Sequence, residues 1–275
     1  MKSDEITLHR GLQGVYFDRS ATTFIDGKKG VLEYRGYNIH DLAEHSTFEE
    51  TAYLLIYGNL PTKGQLHEFD SELKAARELP EKILDVIDLV KDSHPMDVLR
   101  TAVSALASFD SDRGDNSPEA TIHKGNRLTS QVPGIVMAHH AIRSGKDPIK
   151  PSATLSHAAN FLYMLEGNEP SVGAASLMDK DFVLHADHGS NASAFTARTV
   201  ASTAADIHGA VTAGIAALSG PSHGGAAENV MQMAKEIGKP ENAADYVHNL
   251  LSSRQRVMGF GHRVYKAEDP RARHL

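Results

Sequence analysis

The sequence predicts a mainly α fold with one short N-terminal β-hairpin, and three observations carry that expectation. β-branched and aromatic residues flank Asp26-Gly27 in "TTFIDGKKGVLEYRGY" (22–37), a hairpin turn signal. After this stretch the chain repeats one plan: a capping residue, an apolar stripe, and a Gly or Pro stop. From about residue 100 onward alanine is heavily used, and helices with small cross-sections pack their axes closely.

Taken in order, "NIHDLAEHS" opens a short helix. Ser46 or Thr47 caps "FEETAYLLIYG", whose Glu49 and Glu50 suit the positive end of the helix dipole. Gly58 stops that helix. Thr62 caps the next, which is expected to run towards Pro80. "EKILDVIDLVKDS" carries a wide apolar stripe, and Pro95 marks the first turn of "HPMDVLRTAVSALASF". The polar "DSDRGDNSPEA" (110–120) reads as a surface loop. Further helices are expected at about 121–144, 152–166, 170–180, 192–218, 224–237 and 241–256.

At 275 residues the chain can bury a large core, as one domain or as one large and one smaller. A formal charge of −7 argues against a general partner for nucleic acid or anionic membranes, while leaving room for a local basic pocket. With no cysteine, disulfide and thiolate chemistry are excluded. The first ten residues lack an apolar signal core and no apolar run approaches a membrane span, so a cytoplasmic location is expected.

Three histidine segments stand out. In "LHADHGSNASAF" (184–195), His185 and His188 are three apart. On a helix they would share a face, as a metal site would require. Asp187 lies between them and no H-E-x-x-H pattern is present, so the plainer reading is one buried hydrogen-bonding histidine and one facing solvent. Asn191 and Ser193 read as turn or cap residues. In "GPSHGGA" (220–226), His223 sits at a helix entrance, where outward N–H groups disfavour a charged ring. Its glycines serve either close helix packing or a ligand lying against main chain, and the two readings stand level.

In "MGFGHRVYKAEDPRAR" (258–273), Gly259 and Gly261 flank Phe260 before His262. Arg256, Arg263, Lys266, Arg271 and Arg273 place five cations within eighteen residues of an acidic chain, a sign reversal that an anionic ligand requires. A solvated basic helix end would account for the charges but not for the glycines. Neutral imidazoles that polarise carbonyl oxygens suit enolisation and carbonyl addition. No G-x-S-x-G or Walker loop supports other acyl or phosphoryl chemistry.

These motifs, with "GLQGV" (11–15), "GKKGVLEYRGYNIHDLA" (27–43) and "HPMDVLRTAVSAL" (94–106), resemble those of the citrate synthase family, bacterial type, which also includes 2-methylcitrate synthases. The resemblance implies a citrate-synthase-like helical large domain, placed at 1–223, and a partial small domain at 224–275 that closes over substrate. It implies condensation of acetyl-CoA with oxaloacetate, with coenzyme A entering as a thioester substrate and no resident cofactor or metal. By motif, His223 would brace the thioester carbonyl and His262 the oxaloacetate ketone. His188 and Arg271 would hold oxaloacetate. The main chain of Arg256, Val257, Met258, Gly259, Phe260 and Gly261 would line the adenine of CoA, with Lys266 near its phosphates. A homodimer through Ala-rich helices is likewise implied.

The motifs depart from the family's pattern at Ser222, Ala227 and Gly189. Family members continue beyond the motifs matched here into a segment that supplies the proton-abstracting aspartate and further arginines, one from the partner subunit. No residue of these 275 is assigned the base, so this chain is expected to be catalytically incompetent and its parent an enzyme. Three alternatives remain: a 2-methylcitrate synthase using propionyl-CoA, an inactive scaffold of the same fold, and a histidine-rich metal protein. The first differs by about one methyl group, worth ~1–3 kcal/mol of discrimination.

Overall fold

The computed structural model describes residue 15, residues 18–262 and residues 264–274. The "GLQGV" match before Val15 and Arg263 of the basic cluster lie outside the described residues.

Strands β1 (Thr23–Asp26), β2 (Val31–Tyr34) and β3 (Tyr37–Asn38) form one antiparallel sheet in the order β1-β2-β3. Thr23 pairs with Tyr34 and Asp26 with Val31, so the connection is the four residues 27–30, not a two-residue turn at Asp26-Gly27. The Asp26 carboxylate closes that loop by accepting from the N–H groups of Lys28 (3.0 Å) and Lys29 (3.2 Å). The alternation expected of a half-buried strand holds in β2, where Leu32 and Tyr34 face inward.

The chain is otherwise helical. α1 (Ile39–His45) is followed by α2 (Phe48–Tyr57), where Thr47 and Glu50 form a capping box; Gly58 ends it as the sequence predicts. α3 (Lys63–Ala75) has the same device in Thr62 and Gln65 but stops short of Pro80, which instead precedes α4 (Glu81–Leu89). Between them Arg77 is drawn inward: its Nη1 donates to Ser152 O (2.6 Å) and Leu155 O (2.9 Å). Those same bonds hold 152–155 out of the helix expected there, and α7 (His157–Glu166) begins after the Ser156 cap.

α5 (Pro95–Leu106), α6 (Pro118–Arg143) and α8 (Val172–His185) match expected helices, with α8 running five residues further than predicted because Val183 and Leu184 belong to the core. The single helix expected over 192–218 is two, α9 (Ala192–Ala201) and α10 (Ile207–Leu218). Asp206 is the cause: its carboxylate accepts from Gly209 N–H (2.9 Å) and starts a new helix instead of continuing the old one. α11 (Gly225–Ile237) and α12 (Ala243–Ser252) complete the set and bury no residue.

Ile83, Ile87, Val98, Val103, Leu128, Ile135 and Ile215 join α4, α5, α6 and α10 into the main core. A second core joins the sheet to α1, α2 and α8 through Leu32, Tyr34, Ile39, Leu54 and Leu184. That second core places the sheet against the end of α8, just ahead of His188. Among the described residues no helix is long and apolar enough to cross a membrane.

Candidate active site

The small sheet is a jig for two loops. Tyr34, fully buried on β2, donates its hydroxyl to Leu184 O (3.2 Å) and accepts from Asp187 N–H (3.3 Å). Thr23 of β1 donates to the Asp187 carboxylate. Together these bonds fix the loop that follows α8. On the other side, Lys266 N–H donates to Gly27 O (2.7 Å). A Cβ on Gly27 would lie 2.3 Å from Val264 O, so only glycine lets the hairpin connection and residues 264–266 touch.

Held in this way, His188 and His262 meet. Their ring centroids are 5.6 Å apart, and Tyr265 packs against both, 5.5 Å from His188 and 4.8 Å from His262. His185 and His188 do not share a helix face: α8 ends at His185, which is exposed and bonds back to Asp181 O (2.9 Å). The half-buried His188 instead lies 3.1 Å, Nε2 to hydroxyl, from Tyr265. Burial, with Arg271 and His262 nearby, lowers the His188 pKa to about 4, so the ring is neutral at ordinary pH. Partial burial and the Arg271 and Lys266 charges also lower His262, against the opposing pull of Asp269. Nδ1 of His262 accepts from the N–H groups of Val264 and Tyr265, both at 3.0 Å, which leaves Nε2 as the protonated, donating nitrogen.

Arg271 enters from a short 3-10 turn (Pro270–Arg273). Its Nε (3.0 Å) and Nη2 (2.7 Å) make a bidentate pair with Asp269, and Nη1 lies outside that pair. Burial opposes the Asp269 charge, but hydrogen bonds and charge from Arg271 outweigh it and hold the carboxyl below its usual range. Arg273 pairs with Glu268 at 2.9 Å. The expected cluster of five cations is therefore partly neutralised by carboxylates of its own segment, because the Asp269-Pro270 turn folds them back together.

A cavity of about 1310 Å³ opens beside His262 and Arg271. One wall is Arg256, Val257, Met258, Gly259, Phe260 and Gly261; the other is apolar, from Val230 of α11 and Val247 and Leu251 of α12. Gly259 and Gly261 both have φ of +82°, which turns this wall in a path a side-chain-bearing residue would resist. Phe260 between them is 78% exposed. Lys266 is exposed and outside the cavity wall, anchored by its main chain to Gly27.

His223 precedes α11, whose first-turn residues Ala226 and Ala227 line the same cavity. Its Nε2 is 2.9 Å from Ser193 Oγ, and Ser193 Oγ is 2.7 Å from Asn191 Oδ1. Asn191 caps α9 as expected, accepting from Ala194 N–H at 2.9 Å, so its oxygen is fixed as an acceptor. Ser193, expected only as a turn or cap residue, also holds the His223 ring. Tyr265 and Asp269 were not singled out from sequence; a tyrosine and an Asx-Pro turn beside a histidine carry no spacing signal of their own. Among the described residues no group of three or more His, Asp or Glu converges as metal ligands would.

The arrangement offers two neutral imidazoles, one guanidinium and a large cavity with bare main chain on one side. Such a site can donate hydrogen bonds to carbonyl oxygens and pair with a carboxylate without placing a second proton on either ring. Residues 11–275 match the family model described as "Citrate synthase, C-terminal domain". A citrate synthase of Synechocystis is 44% identical over 273 residues, covering 99% of this chain and 69% of the relative. The citrate synthase structure from Pyrobaculum aerophilum superposes with a TM-score of 0.90 at 40% identity, covering 96% of this chain and 68% of that one. The Thermoplasma acidophilum citrate synthase, solved as a ternary complex with carboxymethyl coenzyme A and oxaloacetate, gives 0.90 at 30% identity, covering 97% and 71%. Fold and matches define a helical enzyme of the acyltransferase type. The chain belongs to the citrate synthase family.

Proposed function

We infer that this chain binds oxaloacetate and the thioester of coenzyme A and carries most of the machinery that condenses them to citrate. The observation that supports this best is the convergence of His188, His262 and Arg271 at the mouth of a cavity walled by Arg256–Gly261. On this reading His188 and Arg271 hold the carboxylates of oxaloacetate, the latter through the guanidinium edge that Asp269 leaves over. Nε2–H of His262 donates to the ketone oxygen as it becomes an alkoxide. The Ser193 hydroxyl donates to Asn191 Oδ1, so Nε2–H of His223 donates to Ser193 Oγ, and that N–H serves the thioester carbonyl when the ring turns from the serine to the substrate. CoA lies along 256–261, with Lys266 nearer the phosphates.

Residues 224–275 are proposed as part of a smaller closing unit, in keeping with the absence of buried residues in α11 and α12. A homodimer and a cytoplasmic location complete the proposal.

Calorimetry with oxaloacetate and with CoA tests the binding reading. Measurable binding of each, weakened by Arg271→Ala and by Gly259→Val respectively, is the expected result. Absence of both would sink it and leave a scaffold. Thiol release from acetyl-CoA in the presence of oxaloacetate, compared with release from propionyl-CoA, measures turnover and acyl preference.

A further inference from the structure

We propose that Tyr265 is a positioning residue that sets the tautomers of two site histidines at once, its hydroxyl acting on His188 and its main-chain N–H on His262. The residue is 4% exposed, yet its hydroxyl lies 3.1 Å from Nε2 of His188. A buried phenol needs an acceptor for its proton, and among the described residues Nε2 is the one this hydroxyl has. Were the imidazole to donate instead, the phenol proton would have no partner among the described residues. The bond therefore runs from O–H to Nε2, and Nδ1 of His188 keeps the ring's single N–H.

Both partners are neutral, so the bond carries no ion-pair alternative: burial pushes the Tyr265 phenol up to about 12 and brings His188 down to about 4. At His262 the Tyr265 N–H, with that of Val264, occupies Nδ1 and leaves the proton on Nε2. One residue thus presents His188 as an Nδ1–H donor and His262 as an Nε2–H donor. Tyr265 can do this because its own segment is fastened, through Lys266 N–H to Gly27 O at 2.7 Å. Packing alone would be met by phenylalanine; the hydroxyl is what the proposal requires.

The use of these donors towards oxaloacetate rests on the function proposed above, but the tautomers do not. The test is nitrogen NMR of histidine-labelled 275-residue chain, free of ligand, in the wild type, in Tyr265→Phe and in Tyr34→Phe. Tyr34 bonds the same loop, at Leu184 and Asp187, without touching His188 Nε2, so its variant reports mere loosening. Expected is a bare Nε2 on His188 in the wild type and in Tyr34→Phe, and a shift of His188 towards mixed tautomers in Tyr265→Phe only. A protonated Nε2 in the wild type overturns the proposal without any variant, as does an unchanged His188 spectrum in folded Tyr265→Phe. Oxaloacetate affinity should then fall about three- to tenfold in Tyr265→Phe, the worth of one neutral hydrogen bond. If the tautomers behave as stated and oxaloacetate does not bind the wild type, positioning stands and the substrate assignment is what fails.

Discussion

The backbone N–H of Tyr265 donates to Nδ1 of His262 at 3.0 Å, and the N–H of Val264 reaches the same atom at 3.0 Å. This side chain therefore has two separable jobs, one turned back on its own loop and one turned outward. Asparagine has an acceptor at nearly the Nδ1 position and nothing at Nε2. His262→Asn should keep the loop and leave stability within about 0.5 kcal/mol of wild type. His262→Ala removes the acceptor as well and should cost about 1 kcal/mol more. Urea unfolding of the two variants separates the jobs, and equal losses would contradict the geometry.

Gly27→Ala should damage the site from a distance. Its Cβ would lie 2.3 Å from Val264 O and 2.8 Å from Val264 C, main-chain atoms that cannot swing aside. The hairpin connection and residues 264–266 must separate, at a cost of about 1–3 kcal/mol. Thermal unfolding should register that loss, and the His188–Tyr265 contact should weaken with it in histidine NMR spectra.

Acid should destabilise the protein through His157. Its ring is buried between Phe48 (4.6 Å) and Phe182 (5.7 Å), and burial, with Arg77 nearby, depresses its pKa to about 4. An unfolded histidine titrates near 6.5. The unfolded chain thus takes up this proton first as pH falls. Stability is full above about 6.5, declines between 6.5 and 4, and has lost about 2 kcal/mol from this group by pH 5. Denaturant curves at pH 7.5 and 5 should differ by about that much more in wild type than in His157→Leu.

Lys124 fastens the polar loop ahead of α6. Its side chain is fully buried, and its ammonium donates to Asp112 O (3.2 Å) and to Asp115 O, with Asn116 Oδ1 at 3.5 Å. Lys124→Met keeps the aliphatic stem but strands those oxygens, at about 1–3 kcal/mol. Trypsin should then cut at the exposed Arg113 faster than in wild type; an unchanged rate would mean the Arg127–Asp110 pair (2.7 Å) holds the loop by itself.

Local signals in the sequence were read well where one residue decides the outcome. Thr47, Thr62, Pro95 and Asn191 all start helices as their chemistry requires. The break between α9 and α10 escaped because alanine periodicity outweighed the one carboxylate of Asp206 that restarts the helix. In the site, His262 stood out through its flanking glycines and Arg271 through the local run of positive charge, whereas His188 entered only through the family resemblance. The Asp269 and Glu268 partners that temper the charge were not legible, since pairing depends on a turn whose path residue types alone do not specify. Tyr265 was hidden for a related reason: its two histidines come from segments that only the fold brings together.

The sheet's role as a jig also orders the assembly of the molecule. Residues 23–34 grip the chain near 184–187 and again at 264–266, contacts separated by most of its length. Closing loops that long carries an entropy cost that no neighbouring contact offsets in advance, whereas α4 to α6 are close in sequence and need no such meeting. During folding the helical body should consolidate first, and the three-ring cluster of His188, His262 and Tyr265 should be among the last features to take shape.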